Sequence, residues 1–223
     1  MPKARMSSEE VSSIRGRILD SALEIIIEEG FNNLSVRKVA SRLGITATTI
    51  YNYFKSKDEL NLMIRIRGFE SLYDLLNRRA AGHNGIEERL AAMVRAYVEF
   101  GLQSPSYYDI MFNLHTPKYL DYVGTDIEPL ALTEKQIALK CYELFVALID
   151  TYIPGTGRKR GGFIHYQVVR FWSDLHGLVT LCNSRLFHEV VEDVDALVEK
   201  RTADAIHEIR RLKERIDAGE TLF

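Results

Sequence analysis

The chain has 223 residues and a formal net charge of −2, with 46% hydrophobic and 27% charged residues. These values are typical of a soluble globular protein with one large domain, or with one small and one larger domain. No apolar run approaches the roughly 20 residues of a membrane span, and the N-terminus lacks the apolar stretch of a secretory signal. Cys141 and Cys182 form no metal or disulfide spacing pattern, so we expect a reduced, cytoplasmic protein without membrane association.

All predicted elements are helices, because apolar residues recur every three to four positions along the chain. Ser35 and Gly44 bound a second helix, and Thr46 begins a short third one. Ser56 begins a fourth helix, with Glu59 at the reciprocal capping-box position. The helices expected in this part of the chain span about 12–29, 36–43, 47–53 and 57–78.

The second part of the chain begins after a predicted linker at 81–85, which is made of small and turn-forming residues. A fifth helix starts at Ile86, and Pro105 suits the first turn of a sixth. The segments 116–127 and 153–162 are expected to be loops. Three longer helices complete the chain, at about 129–152, 163–185 and 191–217.

Charge is distributed unevenly between these parts. The first 80 residues carry 13 Lys and Arg against 10 Asp and Glu, whereas the remainder carries 16 against 21. No carboxylate lies between Glu29 and Asp58, and this interval holds five basic residues: Arg37, Lys38, Arg42, Lys55 and Lys57. A local basic interval in an acidic chain indicates a confined anionic partner.

The second and third helices, joined by a glycine-containing turn, predict a helix-turn-helix at about 35–54. Neither helix can bury its apolar face alone, so the first helix must complete a small core with them. The expected core residues are Ile18, Ala22, Val39, Leu43, Ile45 and Ile50. Once Ile50 is buried, the third helix exposes small and hydrogen-bonding side chains, which suit base edges in a major groove.

Individual roles in DNA binding follow from side-chain chemistry. Arg37 is the best candidate for a bidentate contact with guanine, and Tyr51 and Tyr53 can reach phosphates or a thymine methyl group. Lys57 can contact a phosphate beside the N-terminus of the fourth helix. The alternative is a solvated basic face on an ordinary helical hairpin, which any one cation alone would favour. The whole set favours DNA.

The stretch from about Ser13 to Gly68 resembles the TetR family of transcriptional regulators. The matching blocks are A-x-x-x-x-x-E-x-G-F from Ala22, LSVRKVA-x-x-LGI and TIYNYFKSKDEL. The resemblance implies an all-α fold. Its N-terminal three-helix helix-turn-helix domain (12–72) joins through the fourth helix to a larger helical effector-binding and dimerisation domain (84–218). The family's DNA-contact positions fall on Ser35, Arg37, Ala47, Thr48, Thr49, Tyr51, Tyr53 and Lys57.

Two further residues complete this description of the reading helix. Asn52 joins the DNA-contact set because it lies on the exposed face of the third helix. Ala47 departs from the polar residue often found there in the family, and it can offer a base only a methyl group.

The stretch FWSDLHGLVTL resembles a TetR subgroup with a Trp-x-x-x-His-Gly signature, formed here by Trp172, His176 and Gly177. In that subgroup the helix belongs to the effector and dimerisation domain. A glycine within a helix costs about 1 kcal/mol relative to alanine, and close approach of another helix would explain it. We therefore expect the eighth and ninth helices to pair with their copies in a homodimer.

Sixteen of the 22 aromatic residues follow Gly82. Each one alone is explained by core packing. Together with the resemblance, they predict a pocket for an apolar or aromatic small molecule between the fifth, seventh and eighth helices. The expected lining residues are Tyr97, Phe100, Tyr108, Phe112, Phe145, Tyr166 and Phe171.

Other functional classes have weaker support. The histidines form no i, i+4 pair with another His or Cys, so neither a metal site nor a cofactor is expected. No P-loop or nucleophile-elbow pattern occurs, so we do not expect an enzyme. The sequence predicts a homodimeric, effector-released repressor that binds a palindromic operator in double-stranded DNA. A ligand-responsive activator and a DNA-independent helical adaptor protein remain as alternatives.

Overall fold

The computed structural model describes residues 7–153 and 160–220, which are almost entirely helical and contain no strand. Within these ranges, no helix has the length and apolar character needed to cross a membrane. The predicted all-α class is confirmed. The α-helices of the described ranges are α1 Ser8–Glu29, α2 Val36–Leu43, α3 Ala47–Tyr51, α4 Lys57–Ala81, α5 Ile86–Gln103, α6 Pro105–Tyr108, α7 Glu128–Tyr152, α8 Arg160–Asn183 and α9 Val194–Asp217.

The ends of α1 and α3 differ from those expected. α1 begins four residues earlier, at Ser8, because Ser7 and Glu10 form a reciprocal capping box. α3 ends at Tyr51 instead of Tyr53. Both differences concern short-range capping, and they leave the order of the elements unchanged.

The region after α5 differs more. The helix expected from Pro105 is only four residues long, and it continues as a π-helical turn at Asp109–Asn113. The predicted loop 116–127 contains a short 3-10 turn at Tyr119–Tyr122. Most of the predicted loop 153–162 lies outside the described residues.

The chain divides into two compact units, each made of two separate stretches. Met1–Phe69 and Ser106–Ile137 form the first unit, and Glu70–Pro105 and Ala138–Phe223 form the second. α4 and α7 each contribute residues to both units. The expected boundary, between 72 and 84, cuts the chain only once, whereas residues 106–137 group with the N-terminal helices.

The core of the first unit contains most of the expected residues. Ile18, Ala22, Val39 and Ile50 are fully buried, and Leu43 is half-buried. Ile45 was expected to point inward, but 36% of it is exposed. Its place is fixed by the turn after α2, where Gly44 adopts a left-handed conformation and the Ile45 amide donates to the Ala40 carbonyl. Phe54, which was not among the expected core residues, is fully buried.

The first three turns of α4 pack against residues 106–137 of the same unit. A buried ion pair joins Arg65 Nη2 to Glu134 Oε1 at 2.7 Å, and Arg65 Nη1 donates to the Pro117 carbonyl at 3.2 Å. Burial lowers the pKa of Arg65 and raises the pKa of Glu134, and each side chain is the main counter-charge of the other. The Tyr122 hydroxyl donates to Asp58 at 3.1 Å.

Close packing of side chains against the backbone of α4 adds to these polar contacts. A Cβ atom at Gly68 of α4 would lie 2.5 Å from Met111 Sδ and 3.1 Å from Tyr107 Cδ1. The Met111 side chain can therefore pack directly against the backbone of α4 because residue 68 has no side chain.

The second unit is held together by α5, α8 and α9, which contact one another, and by polar links between helices. Glu87 of α5 accepts hydrogen bonds from the Tyr152 hydroxyl at 2.9 Å and from Arg210 Nε at 2.7 Å. Asn183, at the end of α8, donates to the Gly101 carbonyl at 3.0 Å. One carboxylate thus connects α5 with both α7 and α9.

Candidate nucleic-acid interface

The predicted helix-turn-helix is formed by α2, a three-residue turn and α3. Ser35 Oγ accepts from the Lys38 amide at 3.2 Å, and Thr46 Oγ1 accepts from the Thr49 amide at 3.1 Å. Gly44 takes a φ of 67°, a left-handed conformation that favours glycine. The structure therefore contains the caps that the sequence predicted: Ser35 and Gly44 for α2, and Thr46 for α3.

The exposed face of α3 is uncharged and rich in hydrogen-bonding groups. Tyr51 is 55% exposed, and Thr48 and Asn52 are also exposed, whereas Ile50 faces the core. The Thr49 hydroxyl lies 2.9 Å from the Thr46 hydroxyl, so it has a hydrogen-bond partner before any base approaches. None of the nine predicted DNA contacts is buried: Ser35, Arg37, Thr48, Tyr51 and Asn52 are exposed, and Ala47, Thr49, Tyr53 and Lys57 are half-buried.

The basic residues of this region have different surroundings. Lys38 is paired with Glu29, and Arg42 is paired with Glu28 and lies 3.5 Å from Glu24. The hydrogen bond that Arg42 donates to Glu28 raises the pKa of the guanidinium. These two cations of α2 are therefore engaged with α1. Sequence analysis gave DNA-binding roles to Arg37 and Lys57 and did not predict the ion pairs of Lys38 and Arg42. The glutamates near the end of α1 are the sequence feature that could have predicted these ion pairs.

The cations at the other positions are more available. In the described part of the chain, Arg37 and Lys55 are exposed and make no ion pair. The Lys57 ammonium lies 4.8 Å from the centroid of the Phe31 ring, which keeps the half-buried lysine close to the surface of the first unit. Within the described residues, neither Arg37 nor Lys57 is paired with a carboxylate. Both side chains can therefore bind a base or a phosphate, as their predicted roles require.

The start of α4 is capped by two contacts around the predicted Ser56. The Glu59 amide donates to Ser56 Oγ at 3.1 Å, and Glu59 Oε2 accepts from the Lys55 amide at 2.6 Å. The returning bond reaches one residue further than in a standard capping box. It ties the segment between α3 and α4 to the first turn of α4.

Arg15 of α1 contacts the segment directly after α3, and sequence analysis did not identify it. Its Nη1 donates to the Tyr53 carbonyl at 3.1 Å, and its guanidinium carbon lies 4.5 Å from the centroid of the Phe54 ring. No short-range pattern signals this contact, because the partners are 38 positions apart in the chain.

The residues predicted to line an effector pocket lie in both units. Tyr108 and Phe112 belong to the first, with ring centroids 4.9 Å apart. The others belong to the second, where three are buried, Phe145 is half-buried and Tyr166 is 63% exposed. A groove of about 40 Å³ between α8 and α9 includes only Phe171 of the predicted set. The ligand-binding role of all seven residues stays a prediction.

The predicted dimer residues lie on α8. Trp172 is 42% exposed, and its Nε1 donates to the Tyr97 hydroxyl at 2.9 Å. His176 is half-buried, and burial lowers its pKa. A Cβ atom at Gly177 would meet nothing within 4 Å in the isolated chain. The same helix exposes Tyr166 and Val169.

Metal chemistry finds no support in the described residues, where no three His, Cys, Asp or Glu side chains are grouped as ligands. Cys141 and Cys182 are buried free thiols, and burial raises the pKa of each. Thiolate chemistry is therefore disfavoured at both positions.

A helix-turn-helix with an uncharged reading face, flanked by exposed cations, defines the class of DNA-binding transcriptional regulators. Comparison with family models gives the same class in two parts. Residues 18–62 match the bacterial regulatory proteins of the tetR family, and residues 90–205 match a tetracyclin repressor-like C-terminal domain. The chain belongs to the TetR family.

Individual relatives are similarly described. An HTH-type transcriptional regulator of Mycobacterium tuberculosis is 26% identical over 82% of this chain and 75% of its own length. The HTH-type transcriptional activator FasR of Mycolicibacterium smegmatis is 26% identical over 66% of this chain and 60% of its own length. The crystal structure of a regulatory protein, SCO4313, matches with a TM-score of 0.68 and 24% identity, over 90% of this chain and 98% of the other.

Proposed function

We propose that the chain is a repressor that binds a palindromic operator as a homodimer and leaves it when a small apolar or aromatic effector binds. The observation that carries the proposal is the uncharged, exposed face of α3 between Arg37 on one side and Lys57 on the other. Phosphate contacts from the flanks fix the register of the helix, and the neutral centre reads bases.

The homodimer is supported by α8. Tyr166 is 63% exposed, Val169 46% and Trp172 42%, and these side chains follow one another at helical spacing. Gly177 lies further along the same helix, with open space around its Cα in the isolated chain. The α8 of a second subunit could pack against these apolar side chains and approach closely at Gly177. Two-fold symmetry of the dimer then requires two inverted half-sites in the operator.

The effector class is supported by composition. Most of the aromatic residues follow Gly82, and pockets for small molecules are lined mainly by apolar and aromatic groups. Release from DNA requires that the effector bind one conformation of the regulator more tightly than the other.

The protein's effect on transcription has two candidate directions, repression and activation. Repression follows from simple exclusion, because a dimer bound across a promoter blocks polymerase. Activation is the second candidate, since the relative FasR is described as a transcriptional activator. Transcription in vitro from a promoter that contains the bound site distinguishes them: repression lowers the amount of transcript, and activation raises it.

Selection of bound DNA from a random pool tests the central part of the proposal. The full chain should enrich sequences that contain two inverted half-sites at a fixed spacing. Enrichment of a single half-site would contradict the dimer, and the absence of any enrichment would favour the adaptor protein. A variant in which Thr48 and Tyr51 are both alanine is a suitable control, because it should lose the enriched sequence.

A further inference from the structure

Arg15 makes two contacts that converge on the end of the reading helix. Its Nη1 donates to the Tyr53 carbonyl at 3.1 Å, and its guanidinium lies over the Phe54 ring at 4.5 Å. Phe54 is fully buried, so the ring offers the guanidinium a fixed surface. Tyr53 is half-buried and directly follows Asn52, the C-cap of α3.

The carbonyl that Arg15 meets belongs to the chain just beyond α3. A backbone carbonyl outside a helix needs a donor from elsewhere in the protein or from water. α3 has only five residues, which is too short to be stable alone. Its direction therefore depends on tertiary contacts: the burial of Ile50 and the contacts at its two ends. Thr46 supplies the cap at the beginning, through the Thr49 amide. Arg15 supplies a charged donor beyond the end.

We propose that Arg15 is a positioning residue for DNA recognition: it holds the segment Asn52–Phe54, and so fixes how α3 presents its base-reading side chains. The guanidinium suits this role because its planar fork can donate to a carbonyl while its face lies on an aromatic ring. This inference rests on the DNA-reading role proposed for α3.

A direct phosphate contact is the competing role for an arginine near DNA. The two roles differ in what they predict for different DNA sequences. Loss of a phosphate contact weakens binding to every sequence and lowers the slope of log K against log salt concentration by about 0.9 per contact. Loss of a positioning contact weakens binding to the preferred sequence, because base contacts are misplaced, and leaves the number of phosphate contacts unchanged.

The experiment compares the full-length wild-type chain with the variants Arg15→Met and Arg15→Lys. Arg17→Met is the matched control, since it removes one exposed cation from the same helix. Each protein is titrated, across a series of salt concentrations, with the site selected by the wild type and with a scrambled sequence of equal length. Fluorescence anisotropy of the labelled DNA gives both affinity and salt slope.

Arg15→Met should weaken binding to the selected site about tenfold, as expected for the loss of a charge-assisted hydrogen bond. Its affinity for scrambled DNA and its salt slope should stay at the wild-type values. Arg15→Lys should lose affinity as well, because an ammonium keeps the charge but lacks the planar fork. Arg17→Met should leave the ratio of selected to scrambled affinity unchanged.

Two results would overturn the assignment. Restored binding in Arg15→Lys would show that charge alone matters. Equal losses on both DNAs would show either a phosphate contact or general damage to the helix-turn-helix. The proposed function fails separately, because in that case the wild type itself selects no site.

Discussion

Lys38 and Arg42 show that the charge of a single residue has to be judged with its neighbours. Both lie in the carboxylate-free interval, yet both are paired with glutamates of α1. Arg37 lies beside them and makes no ion pair within the described ranges. We therefore expect the three cations of α2 to contribute differently to DNA binding.

The first prediction at this scale concerns Arg37. Arg37→Ala should relax base preference at one position of each half-site and cost roughly 1–3 kcal/mol of specific binding. Selection from a random pool, repeated with the variant, measures the change. Arg42→Ala is the control and should keep the wild-type preference, since Arg42 is engaged with Glu28. An identical selected sequence for Arg37→Ala would remove Arg37 from base recognition.

The second prediction concerns Lys57. Lys57→Ala should weaken binding to all sequences alike and flatten the salt dependence by about one phosphate contact per subunit. Titrations with selected and scrambled DNA over several salt concentrations test this. A loss restricted to the selected site would argue that Lys57 acts through its contact with Phe31 rather than through a phosphate.

At the scale of elements, α8 combines exposed apolar side chains with a glycine whose surroundings are open in the isolated chain. Gly177→Leu should therefore be tolerated by the folded monomer but should damage dimerisation. Sedimentation velocity measures the outcome, with Gly161→Leu as the control, because Gly161 is exposed and lies on the opposite side of the helix. A dimer that persists in Gly177→Leu would place the interface elsewhere.

The polar link from α5 to α7 and α9 leads to a pH prediction. The hydrogen bond from Arg210, followed by that from Tyr152, holds the pKa of Glu87 below its ordinary value of 4.5. A lowered folded pKa means that Glu87 contributes stability above its unfolded pKa. This contribution is lost as the pH falls through the folded value. Because the side chain is 37% exposed, the effect should stay below about 1 kcal/mol.

The variant Glu87→Gln removes this ionisable group. Its stability near neutral pH should be lower than that of the wild type, and the difference should shrink in the acidic range below pH 4.5. Urea unfolding followed by circular dichroism at several pH values tests the prediction. Glu88→Gln, a change at the exposed neighbouring carboxylate, should show no such convergence.

For the whole molecule, the sequence was sufficient where interactions are local. Helical periodicity predicted the all-α class, and the caps at Ser35 and Thr46 predicted where α2 and α3 begin. The sequence was insufficient where two interacting residues are far apart along the chain. Arg65 and Glu134 are 69 positions apart, and no spacing rule connects them. The contacts of Arg15 with Tyr53 and Phe54 could not be predicted for the same reason, because these residues are far from Arg15 along the chain.

The Arg65–Glu134 pair also yields a prediction about overall stability. Removal of one partner leaves the other charge buried, so Glu134→Ala should lower the free energy of unfolding by about 3–5 kcal/mol. The double variant Arg65→Met/Glu134→Leu replaces both charges with apolar groups and should be much closer to the wild type. Chemical denaturation of the three proteins measures these differences. Equal destabilisation of the single and double variants would show that the charges themselves are not responsible.

The participation of residues 106–137 in the first unit has a consequence for engineering. A fragment that stops at the linker after α4 would contain every predicted DNA contact, but it would lack Glu134, Pro117 and Tyr122. Its α4 would expose a face that the intact chain buries. The unit that holds the predicted DNA contacts is therefore not encoded by one continuous stretch of gene. A chimaera that transfers its specificity to another regulator needs both stretches of the first unit.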